Sequence, residues 1–320
     1  MEKNEMENIR DEVQKHLGND YKVELVEVPK TGGMQTGISC RFKGDDYAAI
    51  LYPGQYQELM GSKTGTEQIG RYLAEEIEKQ RGNLPEIPKT PEEFRSGLYI
   101  KLVNADANQE LLKNAVYDSL ADMAAMVRCQ VPSMKEGEKL SFAVTDFNIG
   151  AFQMTRGEIL EQAYQNTASQ EIYLKNMNDV MSEMMNPEMD GHFLEESPLY
   201  VLSNKDKLDG ANVMACPEIL HRVKEQLGEP FYVLPSSTHE LLLMPKRYEE
   251  KIPVPALEQM VSSVNKSDAV RPEELLSNKV YYYDGKKLTV ASEKKKTISD
   301  TAEKIIKGKF TRITSRNLNE

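Results

Sequence analysis

The stretch FYVLPSSTHELLLMP, residues 231–245, decides the fold of this chain. It consists of two apolar runs, FYVL and LLLM, separated by the polar segment SSTHE. Prolines, which interrupt regular structure, stand at positions 230, 235 and 245. A continuous apolar run of this length is compatible with a buried helix, but the prolines and the shortness of the runs favour strands. The two runs are therefore predicted to pair as a hairpin around the polar segment.

A second hairpin is predicted further along, in KVYYYDGKKLTV, residues 279–290. Its two apolar halves flank Asp284-Gly285, a dipeptide that tolerates the positive φ angles of tight hairpin turns. Between the hairpins, apolar residues at i, i+3, i+4 and i+7 mark one face of a helix over 254–265. They are Leu257, Met260, Val261 and Val264. We therefore expect two hairpins in one antiparallel sheet, with this helix packed on it.

The order strand, turn, strand, helix recurs in the chain, at 21–60, 140–166, 199–227 and 231–265. It predicts an α+β fold, in which antiparallel sheets are built from repeated strand-turn-strand-helix units with helices on one face. The second strands of the middle two units are predicted at 149–154 and 211–216. The periodicity of Tyr173, Met177 and Val180 predicts a helix over 169–185.

Four segments are predicted to make up the chain. Residues 1–82 form an N-terminal α+β module, and the proline-rich residues 83–93 form a linker. Residues 94–292 form the main α+β domain. A basic C-terminal tail, 293–320, contrasts with the acidic body, and we expect it to dock loosely on that body and to be dispensable for folding.

Composition restricts the function classes. The chain has 320 residues and a net charge of −11, so as a whole it repels nucleic acid and anionic membranes. Its three cysteines lie far apart and suit a reducing cytosol, and the first twelve residues, MEKNEMENIRDE, contain no apolar run of the kind expected in a secretion signal. No two of the four histidines have the spacing of a zinc site. The sequence predicts a cytoplasmic protein without a metal or a cofactor.

The polar segment SSTHE is the first candidate for a site. Its candidate catalytic residues are Ser236, Ser237, His239 and Glu240, because a histidine oriented by a carboxylate can act as base toward a serine. Neighbouring strand residues point to opposite faces, however, and the chain has no GxSxG nucleophile elbow. Serine and threonine are also good turn residues that bond their own backbone. The sequence therefore favours a structural hairpin turn over a catalytic site.

Several segments together resemble a known family. They are VPKTGG, LYPGQYQELMGSKTGTEQI, LVNADANQELL, LSNKDKLDGANVMACPEIL, PSSTHELLLMP and VSSVNKSDAVRPEELLSNKVYYYDG. Over about residues 1–291 the chain resembles a family of clostridial and related Firmicute proteins that is catalogued as the domain of unknown function DUF5688 and is often carried near mobile elements.

The resemblance transfers no catalytic residues, because the family carries no assigned activity. It implies a bacterial cytoplasmic protein, and it makes the polar residues of the shared motifs candidate binding residues. Besides the SSTHE residues, these are Asn104, Asn108, Asn204 and Asn265. One departure is visible: the family usually has isoleucine where Thr238 stands. This difference suits a structural strand position and weakens a catalytic role for Thr238.

Three functions follow as expectations. The favoured one is a non-enzymatic binding or regulatory protein that acts through a protein partner. The first alternative is a hydrolase-like enzyme that uses Ser236 or Ser237 with His239 and Glu240. The second is nucleic-acid association through the tail, 293–320, although that tail lacks the interleaved aromatic residues of a single-strand binder. The methionine-rich stretch 177–189 is either an adaptable partner surface or ordinary core.

Overall fold

The computed structural model describes most of the chain, in eight ranges: 3–45, 48–61, 64–81, 87–132, 140–184, 197–235, 237–267 and 270–292. The helices in these ranges are α1 (Lys3–Leu17), α2 (Pro53–Met60), α3 (Thr66–Gln80), α4 (Pro91–Gly97), α5 (Gln109–Leu112), α6 (Asp146–Phe152), α7 (Arg156–Ala168), α8 (Met177–Met184), α9 (Pro217–Leu227) and α10 (Val254–Asn265). Short 3₁₀ helices lie at Gly18–Asp20, Gly210–Ala215, Lys246–Tyr248 and Pro272–Glu274.

The strands form three antiparallel sheets. They are β1 (Tyr21–Lys30), β2 (Gly33–Phe42), β3 (Ala49–Leu51), β4 (Leu98–Asn104), β5 (Tyr117–Leu120), β6 (Met123–Val131), β7 (Leu140–Ala143), β8 (Ile172–Asn176), β9 (Tyr200–Asn204), β10 (Phe231–Leu234), β11 (Leu241–Pro245), β12 (Tyr281–Tyr283) and β13 (Leu288–Val290). The fold is α+β, which confirms the class predicted from the sequence.

The described chain divides into two compact units. The first takes the residues up to 97, together with 107–114 and 129–142. The second takes 98–106, 115–128 and the residues from 143 onward. The division at 83–93 that the sequence suggested remains a prediction, as part of that segment lies outside the described residues and α4 begins at Pro91.

In the first unit, α1 and α3 pack together against one face of the sheet β1-β2-β3. The alternation along β1 explains the arrangement, because Tyr21 and Val23 are buried while Lys22 and Glu24 are exposed. The long register between β1 and β2 pairs Tyr21 with Phe42, and the two rings meet edge to face at 5.2 Å between centroids.

The six-stranded sheet of the second unit has the order β13-β12-β10-β11-β9-β8. β10 pairs with β11 and also with β12, so Phe231 lies between Pro245 and Tyr283. β12 and β13 form the second hairpin. The apolar face of α10 packs against strand residues such as Tyr232 and Tyr282. The structure thus confirms the two hairpins in one sheet and the helix packed on it.

The third sheet has the order β4-β6-β5, and β7 pairs with β6 as well. β4 and β6 are rich in buried residues, whereas β5 at the edge is half-buried or exposed.

Two segments predicted as second strands are helical. Residues 149–154 belong mostly to α6, because the Asn148 side chain accepts a hydrogen bond from the Thr145 N–H at 2.8 Å and caps the helix start. Residues 211–216 belong mostly to the 3₁₀ helix Gly210–Ala215, where the Ala211 N–H donates to the Thr238 carbonyl at 3.1 Å. The repeated strand-turn-strand-helix unit therefore holds at 231–265 but not at 140–166 or 199–227.

The single helix predicted over 169–185 is also wrong. The structure has β8 followed directly by α8, with β8 paired along its length to β9. The spacing of Tyr173 and Met177 resembles one helix face, but the available strand partner decides the conformation.

The tail, 293–320, lies outside the described residues, so its predicted loose docking stays a prediction. No helix in the described part of the chain is both long enough and apolar enough to span a membrane.

Candidate functional site

The polar segment between β10 and β11 lies against residues 274–277 of the chain. Ser237 forms an isolated bridge with Leu275, and the Thr238 N–H donates to the Glu274 carbonyl at 2.8 Å. Thr238 is buried, whereas Glu240 is exposed. Ser236, a candidate nucleophile, lies outside the described residues. The segment is therefore a loop that a second chain segment secures, rather than a free hairpin turn.

Both ring nitrogens of His239 are hydrogen-bonded within the second unit. The backbone N–H of Asp209 donates to Nδ1 at 3.2 Å, and Nε2 lies 3.2 Å from Oε1 of Glu274. An amide N–H can only donate, so Nδ1 is the unprotonated nitrogen and Nε2 carries the proton. His239 is a neutral imidazole that accepts from one loop and donates to a carboxylate.

Ser237 makes a different contact with this histidine. Its Oγ accepts a hydrogen bond from the backbone N–H of His239 at 3.0 Å, which is the usual behaviour of a serine that closes its own turn. A general base must instead offer a ring nitrogen to the serine hydroxyl. With Nδ1 facing Asp209 and Nε2 facing Glu274, the geometry favours the structural interpretation of His239.

Glu274 is held as an anion. Burial acts to raise the pKa of its carboxyl, but hydrogen bonds from Arg271, at 3.0 Å from Nε, and from His239 outweigh burial and leave that pKa below its ordinary value. The charge on Glu274 in turn fixes the proton of His239 on Nε2. Arg271 therefore orients the histidine indirectly, through Glu274.

The opposite end of the cluster is the carboxylate of Asp209. Lys101 Nζ lies 2.8 Å from Oδ1, an ion pair without the alignment of a hydrogen bond, and Tyr99 OH donates to Oδ2 at 3.3 Å. Tyr99 and Lys101 are two residues apart in β4, so both side chains leave the same face of that strand. We call the six residues of this chain of contacts the polar cluster: Tyr99, Lys101, Asp209, His239, Arg271 and Glu274.

Gly210 is enclosed at the centre of the cluster. A Cβ at this position would lie 2.0 Å from Ser203 Oγ and 2.7 Å from both the Asn204 nitrogen and the His239 carbonyl oxygen. The Ser203 hydroxyl also donates to that carbonyl at 2.7 Å. The loop after β9 is thus pressed against the His239 segment by packing as well as by hydrogen bonds.

The four asparagines of the family motifs all bond to backbone. The Nδ2 groups of Asn104, Asn204 and Asn265 donate to carbonyls of residues 276, 208 and 277 at 2.8, 2.8 and 3.0 Å. Asn108 lies in the first unit, where its Oδ1 accepts from the Gly32 N–H at 2.8 Å. Asn204 adjoins the polar cluster, because its partner Leu208 precedes Asp209. The contacts of all four hold loops in place.

The three cysteines are spread over both units. Cys40, Cys129 and Cys216 are buried, and burial raises the pKa of each thiol to about 12. Among the residues that the structure describes, no group of three metal-ligating side chains converges on one point.

A model of the family of unknown function DUF5688 matches residues 3–285. The chain belongs to this family. No match was found among curated proteins or among solved structures. The DUF5688 match covers every member of the polar cluster.

Sequence reasoning found His239 but missed its partners. Asp209, Glu274 and Lys101 are separated from it by 30, 35 and more than 100 positions, and no short motif joins them. One signal was present: Asp209-Gly210 is a dipeptide that tolerates positive φ, and Asp209 does have a φ of 53°.

Replacing Gly210 by alanine tests the packing at the centre of the cluster. Gly210→Ala should lower the free energy of unfolding by more than about 2 kcal/mol, because the new methyl group meets backbone atoms that cannot move aside. Gly150→Ala is the matched control: nothing lies within 4 Å of its Cβ position in α6. The control should be neutral or raise stability by up to about 1 kcal/mol. Urea denaturation measures both, and equal midpoints would contradict the packing argument.

Replacing Glu274 by glutamine tests the electrostatics. A carboxyl with a lowered pKa in the folded state stabilises the fold above its unfolded pKa, and this contribution is lost as the pH falls through the folded pKa. Carboxyl groups titrate between about pH 6 and 3. Over this range the free energy of unfolding should therefore fall further in the wild type than in Glu274→Gln. Melting temperatures across this range measure the difference. Parallel curves for the two proteins would show that Glu274 contributes nothing specific.

Proposed function

We propose that the protein is a non-enzymatic binding protein whose partner is another protein. The observation that carries the proposal is the exposure of Phe147, which leaves 80% of its surface open to solvent. A phenylalanine side chain gains about 1.5–3 kcal/mol when it is fully buried, so a partner that covers Phe147 has a ready source of affinity.

The helix that carries Phe147 is fixed at both ends. At its start, the Asn148 side chain accepts the Thr145 N–H. At its end, Gln153 adopts a left-handed conformation and its N–H donates to the Gly150 carbonyl. A side chain presented on a rigid element binds with less loss of entropy than one on a loose loop. Phe147 is therefore already held in position before a partner binds.

Asp146, which precedes Phe147 in the chain, is linked through Arg156 to Tyr117. The Arg156 guanidinium lies 3.7 Å from Asp146 Oδ1 and 5.8 Å from the centroid of the Tyr117 ring. Aromatic residues and arginine are enriched in the parts of interfaces that contribute most to affinity. We call Tyr117, Asp146, Phe147 and Arg156 the Phe147 surface.

The alternatives have weaker support. The hydrolase requires a ring nitrogen of His239 aimed at a serine, and the contacts of both nitrogens supply none for Ser237. The nucleic-acid alternative depends on residues 293–320, which the structure does not describe.

The cytoplasmic and bacterial setting, and the link with mobile elements, follow from the family resemblance and belong to the proposal.

A photo-reactive phenylalanine analogue placed at position 147 of the full chain tests the proposal in bacterial cells. Position 34 is the matched control, because Met34 is also apolar and 48% exposed. We expect a discrete protein adduct from position 147 and none of the same mass from position 34. Phe147→Ser should abolish co-purification of that partner while changing stability by less than about 0.5 kcal/mol.

The contradicting results are equally specific. Identical adducts from both positions, or none from position 147, would remove the support for a partner at the Phe147 surface. Labelling of the purified protein by a serine-directed fluorophosphonate, lost in Ser237→Ala, would transfer support to the hydrolase.

A further inference from the structure

The loop that joins β9 to the 3₁₀ helix Gly210–Ala215 has a strained backbone. Lys207 and Asp209 have φ angles of 54° and 53°. Residues other than glycine disfavour this left-handed region, lysine more than aspartate, so contacts with neighbouring groups help to hold the loop there.

Two side chains supply such contacts. Asn204 donates from Nδ2 to the Leu208 carbonyl at 2.8 Å and accepts from the Leu208 N–H at 3.3 Å. His239 accepts the Asp209 N–H at 3.2 Å. The asparagine side chain has no charged form, whereas imidazole takes up a proton in the range of pH 5 to 8.

We propose that His239 is a pH-sensitive latch: as a neutral imidazole it holds one end of the loop 205–209 through the Asp209 amide, and on protonation it releases that end. Release is expected because the acceptor of the Asp209 N–H is a ring nitrogen that can itself be protonated. Protonation of His239 places a proton on Nδ1, and two N–H donors then face each other where one hydrogen bond stood. The ring and the amide must separate.

The charged residues around the ring determine which of its two contacts is lost on protonation, the one at Nδ1 or the one at Nε2. Glu274 lies against Nε2 and is itself held by Arg271. From the loop side, the Asp209 carboxylate is engaged by Lys101 and Tyr99. Glu240, next along the chain, is exposed.

Glu274 stays ionised when imidazole titrates, because the pKa of its carboxyl lies below the ordinary value. The imidazolium therefore gains an opposite charge at Nε2 and keeps this contact. The contact that breaks is the one to Asp209. Acidification thus releases the Asp209 end of the loop, while Asn204 stays bonded to Leu208 and the His239 segment stays in place.

Nuclear magnetic resonance of the full, isotope-labelled chain tests the latch directly. At pH 7.5 we expect a through-hydrogen-bond coupling between the Asp209 amide nitrogen and Nδ1 of His239. Between pH 7.5 and 5 the coupling should vanish in step with the ring's titration. The hydrogen-exchange protection factor of the Asp209 amide should fall by about tenfold, the change expected from one lost hydrogen bond.

Two variants control the experiment. His239→Gln has no titrating ring, so its Asp209 protection factor should not depend on pH over this range. His221→Gln removes an exposed histidine that pairs with Glu225 in α9, and the loop should respond to pH as in the wild type. If His239→Gln does not fold, the wild-type titration alone decides. A coupling that persists after the ring is protonated, or a ring that does not titrate between pH 5 and 8, would overturn the proposal.

Discussion

A single backbone amide aimed at a histidine ring organises much of the polar structure in the second unit. The Asp209 N–H donates to Nδ1 of His239, and from this bond a continuous chain of contacts extends in both directions. On one side it runs through the Asp209 carboxylate to Lys101 in β4. On the other it runs through Glu274 to Arg271, just before the second hairpin. Four segments that are distant in the sequence are thereby tied together.

The centre of the cluster is costly to disrupt because the Lys101, Asp209 and Glu274 side chains are 18, 11 and 17% exposed, although Arg271 at its edge is 70% exposed. A buried polar group left without its partner costs about 1–3 kcal/mol, and a charged one costs more. Gly210 adds a steric condition, since the loop can approach His239 only where no side chain intervenes. These constraints account for the fixed tautomer of the histidine and for the left-handed backbone at Asp209. Phe147 contrasts with this region, because 80% of its surface is exposed to solvent.

The sequence predicted those elements whose signals are local. Prolines, a turn dipeptide and one apolar helix face were enough for the sheet around β10 and for α10. Prediction from the sequence failed where a segment distant in the chain determines the conformation. β8 is a strand because β9 pairs with it, although its apolar residues have helical periodicity. The same distinction between local and distant signals applies to the residues of the polar cluster. His239 was identifiable within its motif, but Glu274 and Lys101 reach the cluster by tertiary folding, which leaves no spacing to detect.

His239 holds the four segments together as a neutral imidazole with its proton on Nε2. Neutron diffraction from deuterium-exchanged crystals grown at about pH 7.5, above the ordinary titration range of imidazole, tests it most directly. We expect deuterium on Nε2, pointing at Glu274, and none on Nδ1, with the Asp209 amide deuterium directed at Nδ1. Deuterium on Nδ1, or a ring nitrogen directed at a serine hydroxyl, would contradict it.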